Sequence, residues 1–270
     1  MENLEDIKIS YTFAKIDSQT TNYQIFPKSL KRLEIALDLG YMYSNETLSI
    51  YDTIDTSYTS LYSLTIVSNR MLQNLSLGMP NLKEVEIKDY GSLDQSKIIE
   101  FLKANPQLKN LSTYSMNYNE EIIKNVLSSE YLERWNIDRG SWEGIEIDSL
   151  PSNHSIKYLK IYSDMPGPLT LEIINACKGL ETLDINHRIF TGLDLINFEG
   201  RIKFLKLTNS SPTLKSINQI DASRVFNQVY IDFFSSIENL IGNSTDELKN
   251  YKFIPLTSQS CTLKLTNKVN

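Results

Sequence analysis

"MPNLKEVEIKD", residues 79–89, sets Leu82, Val85 and Ile87 in an apolar-x-x-apolar-x-apolar pattern. The last two alternate as they do on a strand with one buried face. The phrase recurs as "NPQLKNLSTYS", 105–115, and "CKGLETLDINH", 177–187. Further copies begin at Leu4, Leu30, Leu61, Leu132, Ile156, Ile202 and Phe226, with a weaker one at Ser260. From Leu82 to Phe226 the intervals run 26, 24, 24, 24, 22 and 24 residues. Near-constant spacing makes each copy the equivalent strand of one more structural unit.

The intervening segments read as helices. In "DQSKIIEFLKA" Asp94 is the expected N-cap, with Ile98, Ile99 and Leu102 on one face. In "NEEIIKNVL" Asn119 caps, and Ile122, Ile123, Val126 and Leu127 point inward. "GPLTLEIINACKG" has Pro168 in the first turn and Gly179 just past the end. Strand, helix, strand at this length is a right-handed crossover between parallel strands. Neither apolar face can be buried within one unit, so units stack. A period of 20–29 residues with L-x-x-L-x-L is the leucine-rich-repeat signature. The expected fold is an α/β leucine-rich-repeat solenoid, a horseshoe of 10–11 repeats with a parallel sheet on the concave face and helices on the convex face. It is expected to form a single domain over 1–270, most regular over 61–232, with irregular segments at 36–60 and 233–259. Within the first of these, "ETLSIYDT", 46–53, alternates like a strand but out of register with the repeat.

The chain's 270 residues suffice for a sizeable core, and its hydrophobic (41%) and charged (22%) fractions are those of an ordinary globular protein. A net charge of −6, without a basic cluster, argues against nucleic-acid or anionic-membrane binding. "MENLEDIKIS" lacks the basic and apolar regions of a secretory signal, and no stretch is apolar for the length of a membrane span. Two cysteines, Cys177 and Cys261, do not suggest a disulfide framework. The expected location is the cytoplasm or nucleus.

"MPNL", "NPQL" and "CKGL", leading into their strands, resemble the C-P-x-L-x-x-L-x-L phrase of the ribonuclease-inhibitor-like repeats of F-box leucine-rich-repeat proteins. The resemblance covers roughly residues 55–232. It implies target recognition by the repeats and a buried structural role for Cys177. Met79, Asn105 and Ser129 replace cysteine at the matching places, and residues 1–30 lack the Leu-Pro and Trp landmarks of an F-box.

In such a fold the variable strand positions face the concavity. Lys160, Asp184 and Lys206 then lie side by side on neighbouring strands, as a charge ladder or as a stripe for an acidic partner segment. Tyr114, Tyr158, Tyr162, Phe204 and Tyr230 lie beside them, and aromatic side chains on a binding face are favoured hot spots. Asp138 and Trp142 belong to "DRGSWEG", 138–144, a Gly-flanked turn in which Trp142 is either an exposed anchor or folded over Trp135. "SDMPGP", 163–168, is the same turn one repeat later.

No catalytic constellation is legible: His154 and His187 fall on different repeats, and no phosphate, dinucleotide or metal motif occurs. No cofactor and no metal are expected. The expected function is a non-catalytic protein-interaction scaffold or recognition subunit. Alternatives are the substrate-recognition part of a cullin ubiquitin ligase, a structural subunit of a large assembly, and a small-GTPase-activating protein using Arg70, Arg139 or Arg188. Strand patterns close to both ends of the chain add end-to-end self-association, or capping by a partner, to the expected contacts.

Overall fold

A computed structural model describes residues 4–10, 25–36, 50–89, 93–145, 149–210, 214–233, 248–257 and 259–266. The chain divides into two compact units, Met1–Glu146 and Ile147–Asn270.

The first unit runs β1 (Asp6–Ser10), β2 (Arg32–Ala36), β3 (Ser63–Ile66), α1 (Asn69–Leu75), β4 (Glu84–Lys88), α2 (Gln95–Ala104), β5 (Asn110–Asn117), α3 (Glu120–Leu127) and β6 (Arg134–Ser141). Its six strands are parallel and lie in chain order. Register is kept by the apolar slots: Leu33, Leu64, Val85, Leu111 and Trp135 stand opposite one another, and all are buried. A slip of one residue would turn that row to solvent. The helices bury the expected stripe with one exchange, Phe101 being buried in α2 where Leu102 was expected. Asp94 accepts from Ser96 N (2.9 Å) and Asn119 from Ile122 N (2.8 Å), so both expected caps form. Of the strand-like stretch 46–53, residues 46–49 lie outside the described residues, and Ile50–Thr53 form a 3-10 turn instead.

β5 and β6 bend together. Ser115 (φ +58°) and Arg139 (φ +57°) are left-handed between the in-register pairs Tyr114–Asp138 and Met116–Gly140. Beyond the bend β6 continues to Ser141, through residues the sequence suggested as a turn. Gly140 passes so close to Tyr118 that a Cβ would lie 3.3 Å from its ring.

The second unit runs β7 (Tyr158–Ile161), α4 (Gly167–Ala176), β8 (Thr182–Asn186), α5 (His187–Phe190), β9 (Ile202–Ser210), α6 (Leu214–Ser223), β10 (Phe226–Phe233), β11 (Tyr251–Thr257) and β12 (Ser260–Leu265). Strands β7 to β10 are parallel; β12 then pairs antiparallel with β10, and β11 lies outside it. The weak copy at Ser260 is therefore half of a hairpin rather than another strand–helix unit. Reversal changes its register: Thr262 faces Tyr230, and Lys264 stands opposite Gln228. Asp221 of α6 holds this hairpin, its carboxylate accepting from the backbone N–H groups of Lys249 (3.0 Å), Asn250 (2.8 Å) and Tyr251 (3.0 Å).

The position three residues before each phrase has a structural use. Asn105 is buried; it accepts from Met79 N (2.8 Å) and donates to Leu75 O (3.2 Å) and Phe101 O (2.9 Å). Buried Asn153 accepts from Ile156 N (2.8 Å) and pairs with Cys177 through an isolated bridge. These side chains satisfy backbone groups that the stacked turns would otherwise bury unpaired.

Candidate functional site

Buried slots on one side leave the intervening positions on the other. In the second unit the register sets Tyr158, Thr182, Phe204 and Gln228 in one row and Lys160, Asp184, Lys206 and Tyr230 in the next. The three charged residues are thus adjacent, as the spacing required. Their exposure differs sharply. Asp184 is 1% exposed, although it lies on the polar side of the sheet.

What buries it is a set of donors from the neighbouring strands. Tyr158 Oη donates to Asp184 Oδ2 (2.9 Å) and Tyr162 Oη to Asp184 Oδ1 (2.8 Å). Lys206 Nζ lies 3.1 Å from Oδ2. The Tyr162 hydroxyl also bonds with Thr208 Oγ1. Its one proton goes to the carboxylate, so Thr208 is the donor there. A carboxylate out of water needs several hydrogen bonds to offset its lost hydration, and three are present. Lys160 goes elsewhere: its Nζ sits 4.2 Å from the Tyr162 ring centroid. Phe204 is 49% exposed, and Tyr230 is half-buried.

The remaining candidates lie in the first unit. Tyr114 and Asp138 are half-buried and in register, and Arg139 Cζ is 5.2 Å from the Tyr114 ring centroid. Trp142 is core: it is 7% exposed and stacks on Tyr118, which lies beside Trp135. The exposed-anchor reading of Trp142 gives way to the buried one, because the bend in β6 returns the chain over Tyr118. On this unit's polar face a groove of about 290 Å³ is lined by Arg32, Glu34, Glu84, Glu86, Arg134 and Asn136, among others. Glu86 pairs with Lys88 (3.2 Å), and Asn110 donates to Glu84 (2.9 Å).

Thr208, Gln228, Lys252 and Lys264 are the face residues that were not singled out from the sequence. Slot arithmetic reaches Thr208, one position past Leu207. The same arithmetic reaches Lys264, between Leu263 and Leu265, and Lys252 follows only from the antiparallel register.

Arg70 is exposed in α1, Arg188 is exposed in α5, and Arg139 lies in β6, so the three arginines are on different elements. His154 is exposed. Burial pushes the thiols of Cys177 and Cys261 up to about 12. Among the described residues no group of three or more His, Cys, Asp or Glu side chains is arranged to hold a metal, and no helix is long and apolar enough to cross a membrane. Neither models of known protein families nor curated protein sequences give a match to this chain.

Proposed function

We propose that the chain is a leucine-rich-repeat protein of the ribonuclease-inhibitor-like type, acting as a non-catalytic interaction scaffold or recognition subunit. Its partner is a protein, received on the concave, polar side of the strands. The observation that carries this reading is the Asp184 cluster. A buried carboxylate fixes two tyrosines and a lysine on a sheet face, beside an exposed phenylalanine. Side chains held before binding lose little freedom on association, which is how a surface gains affinity without gaining area. Aromatic residues at the centre of such a face are the usual energetic anchors.

The test is affinity capture from native extract with wild type, Phe204→Asp and Lys160→Glu, each variant first checked for an unchanged melting temperature. Truncating Tyr158 or Tyr162 is avoided, since it would strip donors from Asp184. Loss of one stoichiometric protein from both variants supports the reading. Recovery of the same proteins by all three chains overturns it.

A further inference from the structure

The chain as a whole is acidic, with a net charge of −6. The polar sheet face of the second unit is not. The register places Lys160 and Lys206 there, with Lys264 opposite Gln228 and Lys252 opposite Lys264. Among the described residues of that face the carboxylates are Asp184 and Asp232. Asp184 is already committed, both its oxygens accepting from Tyr158, Tyr162 and Lys206. Lys160, Lys252 and Lys264 form no ion pair among the described residues. Among the described residues, four lysines on this face thus stand against two carboxylates, an excess of positive charge around half-exposed Phe204.

We infer that this face takes an acidic, aromatic-bearing segment of the protein partner. The inference rests on the interaction reading above and adds the chemistry of what binds. Charge complementarity selects carboxylates against like-charged competitors and speeds encounter. Phe204 supplies an apolar contact that water leaves at a gain. Lys160 and Phe204 lie two strands and one row apart, about 12 Å on the diagonal, which an extended segment spans in about four residues. An acidic residue and an aromatic one at that separation meet both side chains.

A nucleic acid suits the face less well. It asks for several unpaired cations along a groove and for open ring faces on which bases stack. Here Lys160 covers the Tyr162 ring, and the tyrosine hydroxyls are tied to Asp184.

The experiment titrates the full chain with three labelled peptides: one alternating Glu with Phe and Ser, one with Lys for every Glu, and one with Ser for every Phe. A thymidine oligonucleotide and phosphatidylserine vesicles serve as the other anions. The acidic aromatic peptide is expected to bind, and to weaken about tenfold in Lys160→Glu and in Phe204→Ser. Lys160→Gln should fall between wild type and Lys160→Glu, and raised salt should weaken binding. Equal affinity for the lysine peptide, undiminished binding by both variants, or tighter binding of oligonucleotide or vesicle overturns the inference. If the peptide fails while capture of a protein still needs Phe204, the acidic chemistry falls and the interaction reading stands. Capture indifferent to both variants overturns the reading itself.

Discussion

Tyr118 and Trp142 lie flat on one another, ring centroids 4.2 Å apart and planes within 9°. Both are buried, and Tyr118 sits 6.4 Å from Trp135 by ring centroids. Trp142→Ala should therefore behave as a core truncation and cost about 3–5 kcal/mol. Denaturant unfolding measures it. A loss within about 0.5 kcal/mol, as at an ordinary surface position, would contradict this placement.

Tyr162→Phe removes one donor from Asp184 and the acceptor used by Thr208. The carboxylate stays buried and less satisfied, so a loss of about 1–3 kcal/mol follows. Asp184→Asn in the same background should recover part of it, since a neutral amide is cheaper to bury. A double-mutant cycle on the melting curves reads the coupling.

Gly179→Ala is expected to destabilise strongly. A Cβ there would lie 2.3 Å from the His154 carbonyl oxygen, a backbone atom that cannot swing aside. Overpacking of this kind costs about 1–3 kcal/mol. Gly200, with open space around its Cβ position, is the control and should tolerate alanine.

Asp221→Ala should loosen the β11–β12 hairpin selectively. Three backbone N–H groups lose their acceptor at once. Hydrogen exchange at Lys249, Asn250 and Tyr251 should accelerate by orders of magnitude, while exchange in β7 and β8 stays slow. Uniform acceleration throughout the second unit would show instead that the hairpin opens only with everything else.

Both thiols should resist alkylation in the folded protein near neutral pH and react on unfolding, because burial holds each up to about 12 from an ordinary 9.0. The same shifts set an alkaline limit. The folded state keeps these protons while the unfolded chain gives them up above pH 9, so stability is intact below 9 and falls between 9 and about 12. Cys177 alone gives a slope approaching 1.4 kcal/mol per pH unit. Tyr118 and Tyr251, raised from 10.0 by burial, steepen the fall above pH 10. Melting temperatures across that range should drop, and Cys177→Ala should soften the drop.

The strand slots were legible in the sequence because apolar alternation and a fixed interval are local signals. Every phrase from Leu4 to Phe226 leads into a strand, and the neighbourhood of Lys160, Asp184 and Lys206 follows from spacing alone. The burial of Asp184 was not legible. Its cover comes from hydroxyls 26 and 22 residues earlier in the chain, and nothing local distinguishes a tyrosine that bends over a neighbour from one that faces solvent. Trp142 was ambiguous for a related reason: the bend at Ser115 and Arg139 uses non-glycine residues at positive φ, which sequence does not announce. The direction of β12 escaped because an apolar pattern reads alike in either sense.

The interval between equivalent strands also bears on how the chain folds. The parallel pairings join residues from 21 (Ser63 with Glu84) to 31 (Arg32 with Ser63) positions apart, in a chain of 270. Loop closure at that span costs little more than in a short hairpin, since the penalty grows only with the logarithm of length. In the proposed solenoid, folding can start wherever two neighbouring units first meet and spread outward, at a rate set by that local span more than by the length of the whole polypeptide.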